Sequence, residues 1–457
     1  MIVDRYDAVA MGELIPQLRL EMEPELRELD RLLSDDALFA SVRADLSKRY
    51  PNSGRLGRHS TPVEVILRML VVRRLYNWSY EATERNVSDS LVLRQFVRLY
   101  LEPVPDDTTL IRWAGLLGPE TLRSLNERAV ELARTLKVTR GRKLRTDGTV
   151  VEATMHYPTD SSLLTDGVRV LSRLLRRARA AVGDRSGGEV FRDRTRSAKR
   201  LARRIADSAR RRGEAIEEAR RELYGRQLGI AGASLRQAER VRKMLPDSQS
   251  GLARDLERFE GLVGRVVSQA RRRILQGESV PAAEKVVSIF EPHAAIVRRG
   301  KVGRDTEYGR KVWIDEVEGG IVGGYRVLEG NPRDEGQLEP ALEGHRRLFG
   351  RAPDLVAADR GVHSARNERL CREAGVQRVV LPKPGKKGKE RQEHERLGWF
   401  RRGMRYRAGV EGRISVMKRR GYLGRCRDKG ESGFDRWIGW GVLTANLSTI
   451  ARATAAR

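Results

Sequence analysis

Residues 143–158 read KLRTDGTVVEATMHYP, and in this stretch a chain of helical character first acquires strand character. Thr149, Val150, Val151 and Thr154 are β-branched and favour a strand. One carboxylate, Asp147, interrupts the run and is followed by glycine. Because glycine lets the backbone turn, we expect Asp147 at a strand end, with its side chain at the edge of a sheet.

The chain around this stretch is long and strongly basic. Its 457 residues carry 90 Lys+Arg against 62 Asp+Glu, a formal net charge of +28. The length predicts two to four domains. The charge favours nucleic acid as the partner, because Lys and Arg release condensed counterions when they bind phosphates. An acidic membrane surface is the weaker alternative, and no apolar run is long enough to predict a spanning helix.

The cysteines and the first thirty residues indicate a cellular compartment. Cys371 and Cys426 lie far apart and outside any metal-binding spacing. This favours a reducing cytoplasm over a disulfide scaffold or a zinc site. The first thirty residues carry acids throughout and have no apolar core, so they do not resemble a signal peptide.

Upstream of the opening stretch, the hydrophobic spacing predicts helices only. Leucines recur at helical intervals from Leu26 to Leu33, and Thr61-Pro62 is typical of a helix start. Ser79 can cap the next helix, which is followed by a short break and another short helix. This pair is compatible with a helix-turn-helix and equally with an ordinary helical bundle. We therefore predict an amino-terminal helical domain over residues 1–138, which is a DNA-binding domain if the pair is a helix-turn-helix.

Downstream lies a basic tract without proline between Pro158 and Pro246. Residues 168–290 contain 30 Lys+Arg and 15 Asp+Glu. The pattern predicts long helices packed as a hairpin or bundle, inserted as a basic helical domain over residues 160–289. A solvated helix face is the usual explanation of a charge run, but the basic excess favours a surface that faces nucleic acid.

Strand character returns after this tract, so we predict an α/β fold. A Gly-Gly turn between two β-runs at 311–329 predicts a hairpin. The short apolar run before Asp359 predicts another strand, and VQRVVLP (376–382) a third. Helices are expected between these strands, at 405–419 and at the carboxyl end. KPGKKGKERQEHER (383–396) is predicted to be a basic loop.

Asp147 and Asp359 share one sequence context, which makes them candidate ligands. Each closes a short apolar run and is followed closely by glycine. Either one alone would be explained as a turn or cap residue. Together with a carboxylate on a basic helix they predict a metal site, since grouped carboxylates repel one another and oxygen donors suit Mg²⁺. Two Mg²⁺ ions about 3.5–4 Å apart, with Mn²⁺ as an alternative, would support phosphoryl transfer.

The third carboxylate is less clear from the residues alone. The candidates are Glu152, Asp160, Asp166, Glu411 and Glu431. On a helix, Glu411 shares one face with Arg407 and Lys418, so it could hold metal next to phosphate. The alternative is an ordinary i,i+4 ion pair, worth about 0.2–0.5 kcal/mol.

Several segments together resemble a known family. The spacing Arg407-x3-Glu411-x6-Lys418 resembles the carboxyl-terminal signature of DDE transposases from bacterial insertion sequences. TDGTVVEATMHYPTDSSLLTDG and VAADRGVHSARNE resemble the first- and second-aspartate segments of the ISNCY-type members, and STPVEVILRMLVVRRLYNWSYEATERNVSDSLVLRQF resembles their amino-terminal helical domain. The resemblance covers roughly residues 20–445. In one departure, Met404 stands where the signature often has tyrosine.

The resemblance implies a fold, a site and a reaction. The catalytic and metal-binding acids would be Asp147, Asp359 and Glu411, on a ribonuclease H-like mixed sheet formed by residues 139–159 and 290–457. The reaction would be DNA cleavage and joining of 3′-hydroxyl ends to target DNA. The alternatives are a hydrolytic nuclease on the same fold and a non-catalytic basic DNA-binding protein.

The resemblance also implies partners. Double-stranded DNA, as transposon ends and as target, would be held near the cut by Arg407 and Lys418. Further DNA contacts are expected from Arg413 and from the loop residues Lys383, Lys386 and Lys387. A homodimer is expected in the active complex, with no membrane and no small-molecule substrate. The expected location is the bacterial cytoplasm, at the nucleoid.

Overall fold

The computed structural model describes residues 3–5, 21–48, 52, 61–182, 191–298 and 306–457. The described residues form two units. We call the unit built from 1–152 and 310–457 the sheet unit, and the unit built from 153–309 the helical unit.

The described amino-terminal part of the sheet unit consists of short helices, four of which begin with a side-chain cap. Ser79 accepts a hydrogen bond from the Ala82 backbone N–H at 3.0 Å, as its position before a helix predicts. The described helices up to residue 135 are α1 (Pro24–Leu32), α2 (Asp36–Ser47), α3 (Val63–Leu75), α4 (Tyr80–Asp89), α5 (Leu91–Phe96), α6 (Asp107–Leu116) and α7 (Pro119–Thr135).

Six described strands form one mixed sheet, which confirms the α/β prediction. They are β1 (Lys143–Glu152), β2 (Ala295–Arg298), β3 (Thr306–Val317), β4 (Ile321–Val327), β5 (Leu355–Ala358) and β6 (Arg378–Val380). The strand order is β2-β3-β1-β5-β6, and β4 also pairs with β3. The β1–β5 and β5–β6 pairs are parallel, whereas β2–β3 and β3–β4 are antiparallel.

The predicted hairpin is the β3–β4 pair. Its turn contains Gly319 and Gly320, with φ of 83° and 74°. These left-handed angles are accessible to glycine and strained for other residues, which explains why the Gly-Gly pair marks the turn.

The helical unit contains the long helices predicted from the proline-free tract. They are α8 (Asp160–Val182), α9 (Thr195–Ser208), α10 (Glu214–Met244) and α11 (Ser250–Ala270). Their apolar faces form a separate core that includes Leu164, Leu171, Leu228 and Leu256. The unit therefore has its own hydrophobic centre, as a stable bundle requires.

The sheet unit continues with α12 (Leu338–Phe349), α13 (Ala365–Glu373), α14 (Lys389–Arg396), α15 (Gly398–Arg419) and α16 (Gly430–Ala455). Helix α14 corrects the sequence prediction, which assigned all of 383–396 to a loop. An i,i+4 ion pair between Arg391 and Glu395, at 2.9 Å, supports this short helix.

Helix α16 is apolar on nearly all sides because it is buried within the sheet unit. It contacts α1, α3, α7 and β4. Asn446 of α16 accepts a hydrogen bond from the Val322 N–H of β4 at 2.8 Å and donates to Asn126 of α7 at 2.8 Å. The amino-terminal helices and the sheet share one hydrophobic core, so the described part of 1–138 packs in one unit with the sheet.

Candidate active site

The parallel pairing of β1 with β5 brings the two predicted aspartates together. Its last register pair is Thr146 with Ala358, so Asp147 and Asp359 are the next residues on neighbouring strands. Asp359 directly follows β5, as predicted, and the chain then turns through residues 360–362.

Asp147, in contrast, does not end its strand. Strand β1 continues to Glu152, because the β-branched residues after Gly148 remain extended beyond the end of β5. The expectation of a strand end at Asp147 was therefore wrong. Its side chain nevertheless reaches the sheet edge, since the partner strand stops there.

Helix α15 places Glu411 and Arg407 against these aspartates. The Arg407 Nη1 lies 3.0 Å from Glu411 Oε1. Its Nη2 lies 3.2 Å from Asp359 Oδ1 and 4.0 Å from Asp147 Oδ2. We call Asp147, Asp359 and Glu411 the acidic cluster. The structure thus brings all three predicted acids around one guanidinium.

Two carboxylates of the acidic cluster are open to solvent, whereas the third, Asp147, is 19% exposed. Three carboxylates meet the one guanidinium of Arg407, which is 15% exposed, whereas Asp359 and Glu411 are 47% and 61% exposed. The cluster is therefore an accessible acidic spot on a strongly basic protein. Such a spot attracts cations and would repel DNA phosphates unless another positive charge lay between them.

The donors of the acidic cluster fit Mg²⁺ chemically, but their side-chain positions suit a guanidinium. Carboxylate oxygens are the ligands that Mg²⁺ prefers, and one or two of them suffice when water or phosphate completes the shell. Among the described residues, however, no group of three His, Cys, Asp or Glu side chains is arranged to hold a metal ion. Arg407 occupies the position at which these carboxylates meet.

The other candidates for the third acid have different partners. Glu152 pairs with Arg425 at 2.7 Å, and Glu431 pairs with Arg310 at 3.0 Å. Asp160 and Asp166 belong to the helical unit. Burial raises the pKa of Asp166, against the opposing effects of His156 and Arg169. Within the sheet unit, Glu411 is therefore the candidate that joins the two aspartates.

A buried ion pair beneath the acidic cluster fixes helix α15 against the sheet. Arg145 precedes Asp147 by two residues and donates two hydrogen bonds to Glu316 of β3, both 2.7 Å long. It donates a third, also 2.7 Å, to the Tyr406 carbonyl, next to Arg407. Burial lowers the pKa of Arg145, but the bonds and charge of Glu316 outweigh this and raise it. Arg145 therefore stays charged.

Two further contacts fix the register of α15. A Cβ on Gly409 would lie 2.0 Å from the Arg145 Nη1, so the helix approaches Arg145 closely only because residue 409 is glycine. Near the other end of the helix, the Lys418 Nζ donates to the Val150 carbonyl at 2.8 Å. Arg407 and Glu411 lie on the same helix that these contacts attach to β1.

Sequence reasoning missed the roles of Arg145 and Glu316. Neither residue is assigned a role in the sequence analysis above. Glu316 is completely buried, while Arg145 is 14% exposed. The available signal was an acid inside the apolar run of β3, because a buried carboxylate needs a positive partner.

The predicted DNA-binding cations have different surroundings in the structure. Arg413 donates to the Thr449 hydroxyl of α16 at 2.9 Å, and burial lowers its pKa. Lys387 pairs with Glu395. Lys383 and Lys386 have exposed side chains. Of the predicted cations, these two loop lysines are thus the most available to an external phosphate.

None of the helices in the described ranges combines the length and apolar composition needed to cross a membrane.

A match to a known family lies in the amino-terminal helices. Comparison with curated proteins and with solved structures gives no match. The family model described as Transposase domain (DUF772) matches residues 15–115, a range that ends before the acidic cluster. This match supports a transposase family, an enzyme that acts on DNA and, in broad terms, a function in transposition.

Proposed function

We propose that the protein is a DDE transposase of the ISNCY type. It would bind the terminal inverted repeats of an insertion sequence, cleave DNA, and join 3′-hydroxyl ends to a target strand. The observation that carries the proposal is the convergence of Asp147, Asp359 and Glu411 on Arg407. The transposase-domain match at 15–115 supports it independently, because that range contains none of these residues.

The proposed catalytic domain is ribonuclease H-like and formed by residues 139–159 and 290–457. Support comes from the parallel β1–β5 pair, at whose end two aspartates lie side by side. Ligands gather outside the carboxyl ends of parallel strands in α/β sheets, so this edge is a suitable place for a reacting phosphate.

The acidic cluster would hold Mg²⁺, with Mn²⁺ as a substitute. When bound, two such ions supply activation of the attacking hydroxyl and stabilisation of the departing 3′-oxygen. Arg407 would exchange its carboxylate partners for a DNA phosphate near the cut, because a guanidinium binds phosphate oxygens in the same forked geometry. Arg145 and Glu316 would keep α15, and with it Glu411, in place during this exchange.

The proposed partners are double-stranded DNA and a second copy of this chain. The amino-terminal helical domain, residues 1–138, would bind the transposon ends, and pairing of two ends requires at least a homodimer. The proposed location is the bacterial cytoplasm, at the nucleoid. The basic excess of the chain supports a DNA partner, since it favours release of counterions from phosphates.

Isosteric replacement of the three acids tests the proposal. We expect Asp147→Asn, Asp359→Asn and Glu411→Gln each to abolish Mg²⁺-dependent strand cleavage while duplex binding is retained, because only the charge of a ligand is lost. Asp354→Asn is the matched control, since Asp354 lies at the start of β5 and its surface pair with Arg351, at 3.4 Å, is outside the acidic cluster. Cleavage by Asp354→Asn should equal that of the unchanged protein.

Two outcomes would replace the proposal with one of its alternatives. Cleavage without joining of pre-cut 3′-hydroxyl ends to target DNA would indicate a hydrolytic nuclease on the same fold. Duplex binding without metal-dependent cleavage, in the unchanged protein as in the three variants, would indicate a non-catalytic DNA-binding protein.

A further inference from the structure

Helix α9 of the helical unit carries a continuous row of cations. They are Arg196, Lys199, Arg200, Arg203 and Arg204, all exposed. Their spacing places them on one side of the helix, over about 12 Å of its axis. The opposite side is buried through Ala198, Leu201 and Ile205, which fixes the direction in which the row faces.

The five cations of the row have no counterion within the part of the chain that the structure describes, unlike several other basic positions of the helical unit. By comparison, Arg176 of α8 pairs with Asp193 at 3.0 Å, and Lys243 of α10 pairs with Glu239 at 2.9 Å. Helix α9 itself contains one acid, Asp207.

The exposed charge continues beyond the helix. Arg210, Arg211 and Arg212 follow directly and are also exposed. Like charges at i,i+4 oppose helix formation. The row therefore weakens α9 in isolation, and a bound polyanion would remove this repulsion.

We propose that the α9 row binds the phosphate backbone of double-stranded DNA. The choice of DNA rests on the proposed function. Exposed arginine and lysine side chains neutralise phosphates whatever the base sequence, so the row is suited to contacts that position the duplex. Helix α9 has no aromatic residue, which argues against a single-stranded site built on base stacking.

Two triple variants with equal charge change test this surface. The first, Arg196→Gln with Arg200→Gln and Arg203→Gln, removes part of the row. The second, Arg176→Gln with Arg177→Gln and Lys243→Gln, removes three cations of the same unit that are 62–74% exposed but near acids. Both are made in the full chain, and circular dichroism checks that helix content is unchanged. Binding to a random-sequence duplex is then measured against salt concentration.

The two triple variants should differ in salt dependence. The slope of log K against log salt is negative. We expect its magnitude to decrease by about 3 for the row variant, at about 0.9 for each lost phosphate contact, and by less than about 1 for the paired variant. Equal changes of slope in the two variants would show that only the net charge of the protein matters. An unchanged slope in the row variant would show that the row does not contact DNA. Loss of double-stranded RNA binding with duplex DNA binding intact would also overturn the proposal.

This outcome is separable from that of the proposed function. If the row variant keeps full duplex affinity while the unchanged protein cleaves DNA, the surface assignment is wrong and the transposase proposal stands. If the row variant loses affinity but the unchanged protein shows no metal-dependent cleavage, the surface stands and the transposase proposal fails.

Discussion

Helices α15 and α9 are both rich in arginine, yet Arg407 and Arg413 of α15 have different surroundings from the α9 row. On α15, Arg407 contacts the acidic cluster and Arg413 reaches a hydroxyl of α16. On α9, the row from Arg196 to Arg204 faces solvent without an internal counterion in the described ranges. The number of charges in a helix therefore does not indicate its role, whereas the acceptors near each charge do.

This difference has a simple energetic basis. A guanidinium removed from water is stabilised only if its N–H groups find acceptors, so the partly buried Arg407 and Arg413 help to fix α15 in one position. An exposed cation keeps its hydration and costs little when unpaired, so it remains available to an external phosphate. We therefore expect changes on α15 to alter stability and geometry, and changes on the α9 row to alter salt-dependent binding.

The largest effect should follow from breaking the attachment of α15 to β1. Arg145→Met leaves Glu316 buried without its partner, so the free energy of unfolding should fall by about 3–5 kcal/mol in chemical denaturation. Cleavage should fall about 100-fold under conditions in which the variant is folded, because a displacement of about 1 Å at reacting groups has this effect.

Arg425→Met is the matched control for this variant. Arg425 pairs with Glu152 of the same strand at 2.7 Å, but the arginine is 54% exposed. An exposed pair contributes about 0–1 kcal/mol, so a small change is expected. Similar losses in the two variants would mean that the Arg145 pair has no special role.

The second effect concerns the close approach at Gly409. Gly409→Ala should lower the free energy of unfolding by about 1–3 kcal/mol, because the new Cβ overlaps the Arg145 guanidinium. Gly412→Ala lies on the same helix with nothing within 4 Å of its Cβ, so it should raise stability by about 0.5–1 kcal/mol through helix propensity. Thermal unfolding of both variants measures the contrast, and equal shifts would refute the close approach.

The smallest effect tests the comparison between the two helices most directly. Arg413→Gln should reduce stability by about 1–2 kcal/mol, through the lost bond to Thr449, without changing the salt slope of duplex binding. Arg419→Gln, at an exposed position of the same helix, should change stability by less than about 0.5 kcal/mol. A slope reduced by about 1 in Arg413→Gln would show that Arg413 contacts DNA.

Much of the fold was predictable where local chemistry determines the structure. The Gly319-Gly320 turn, the Ser79 cap and the long proline-free helices follow from conformational preferences of a few neighbouring residues. The position of Asp147 within β1 was not predictable in this way. Its side chain reaches the sheet edge because the partner strand β5 stops there, although β1 itself continues to Glu152. Helix α14 was missed because strongly charged segments that contain glycine usually form loops. The i,i+4 ion pair between Arg391 and Glu395 that stabilises the helix was not recognised within this segment.

The part of the candidate site that depends on local spacing and on resemblance to known motifs was predictable. The i,i+4 relation of Arg407 and Glu411 follows from helical geometry alone. The Arg145–Glu316 pair joins residues 171 positions apart, so it depends on which strands become neighbours. Strand order is a property of the whole sheet, and the sequence around either residue does not contain it.

The chain passes between its two units at β1 and at β3, the strands that contain Arg145 and Glu316. Strand β1 ends at Glu152, where the helical unit begins, and β3 returns into the sheet unit at Arg310. A mechanical load on the helical unit would therefore reach the sheet along both strands. The Arg145–Glu316 pair cross-links them, so it would share that load between two covalent paths.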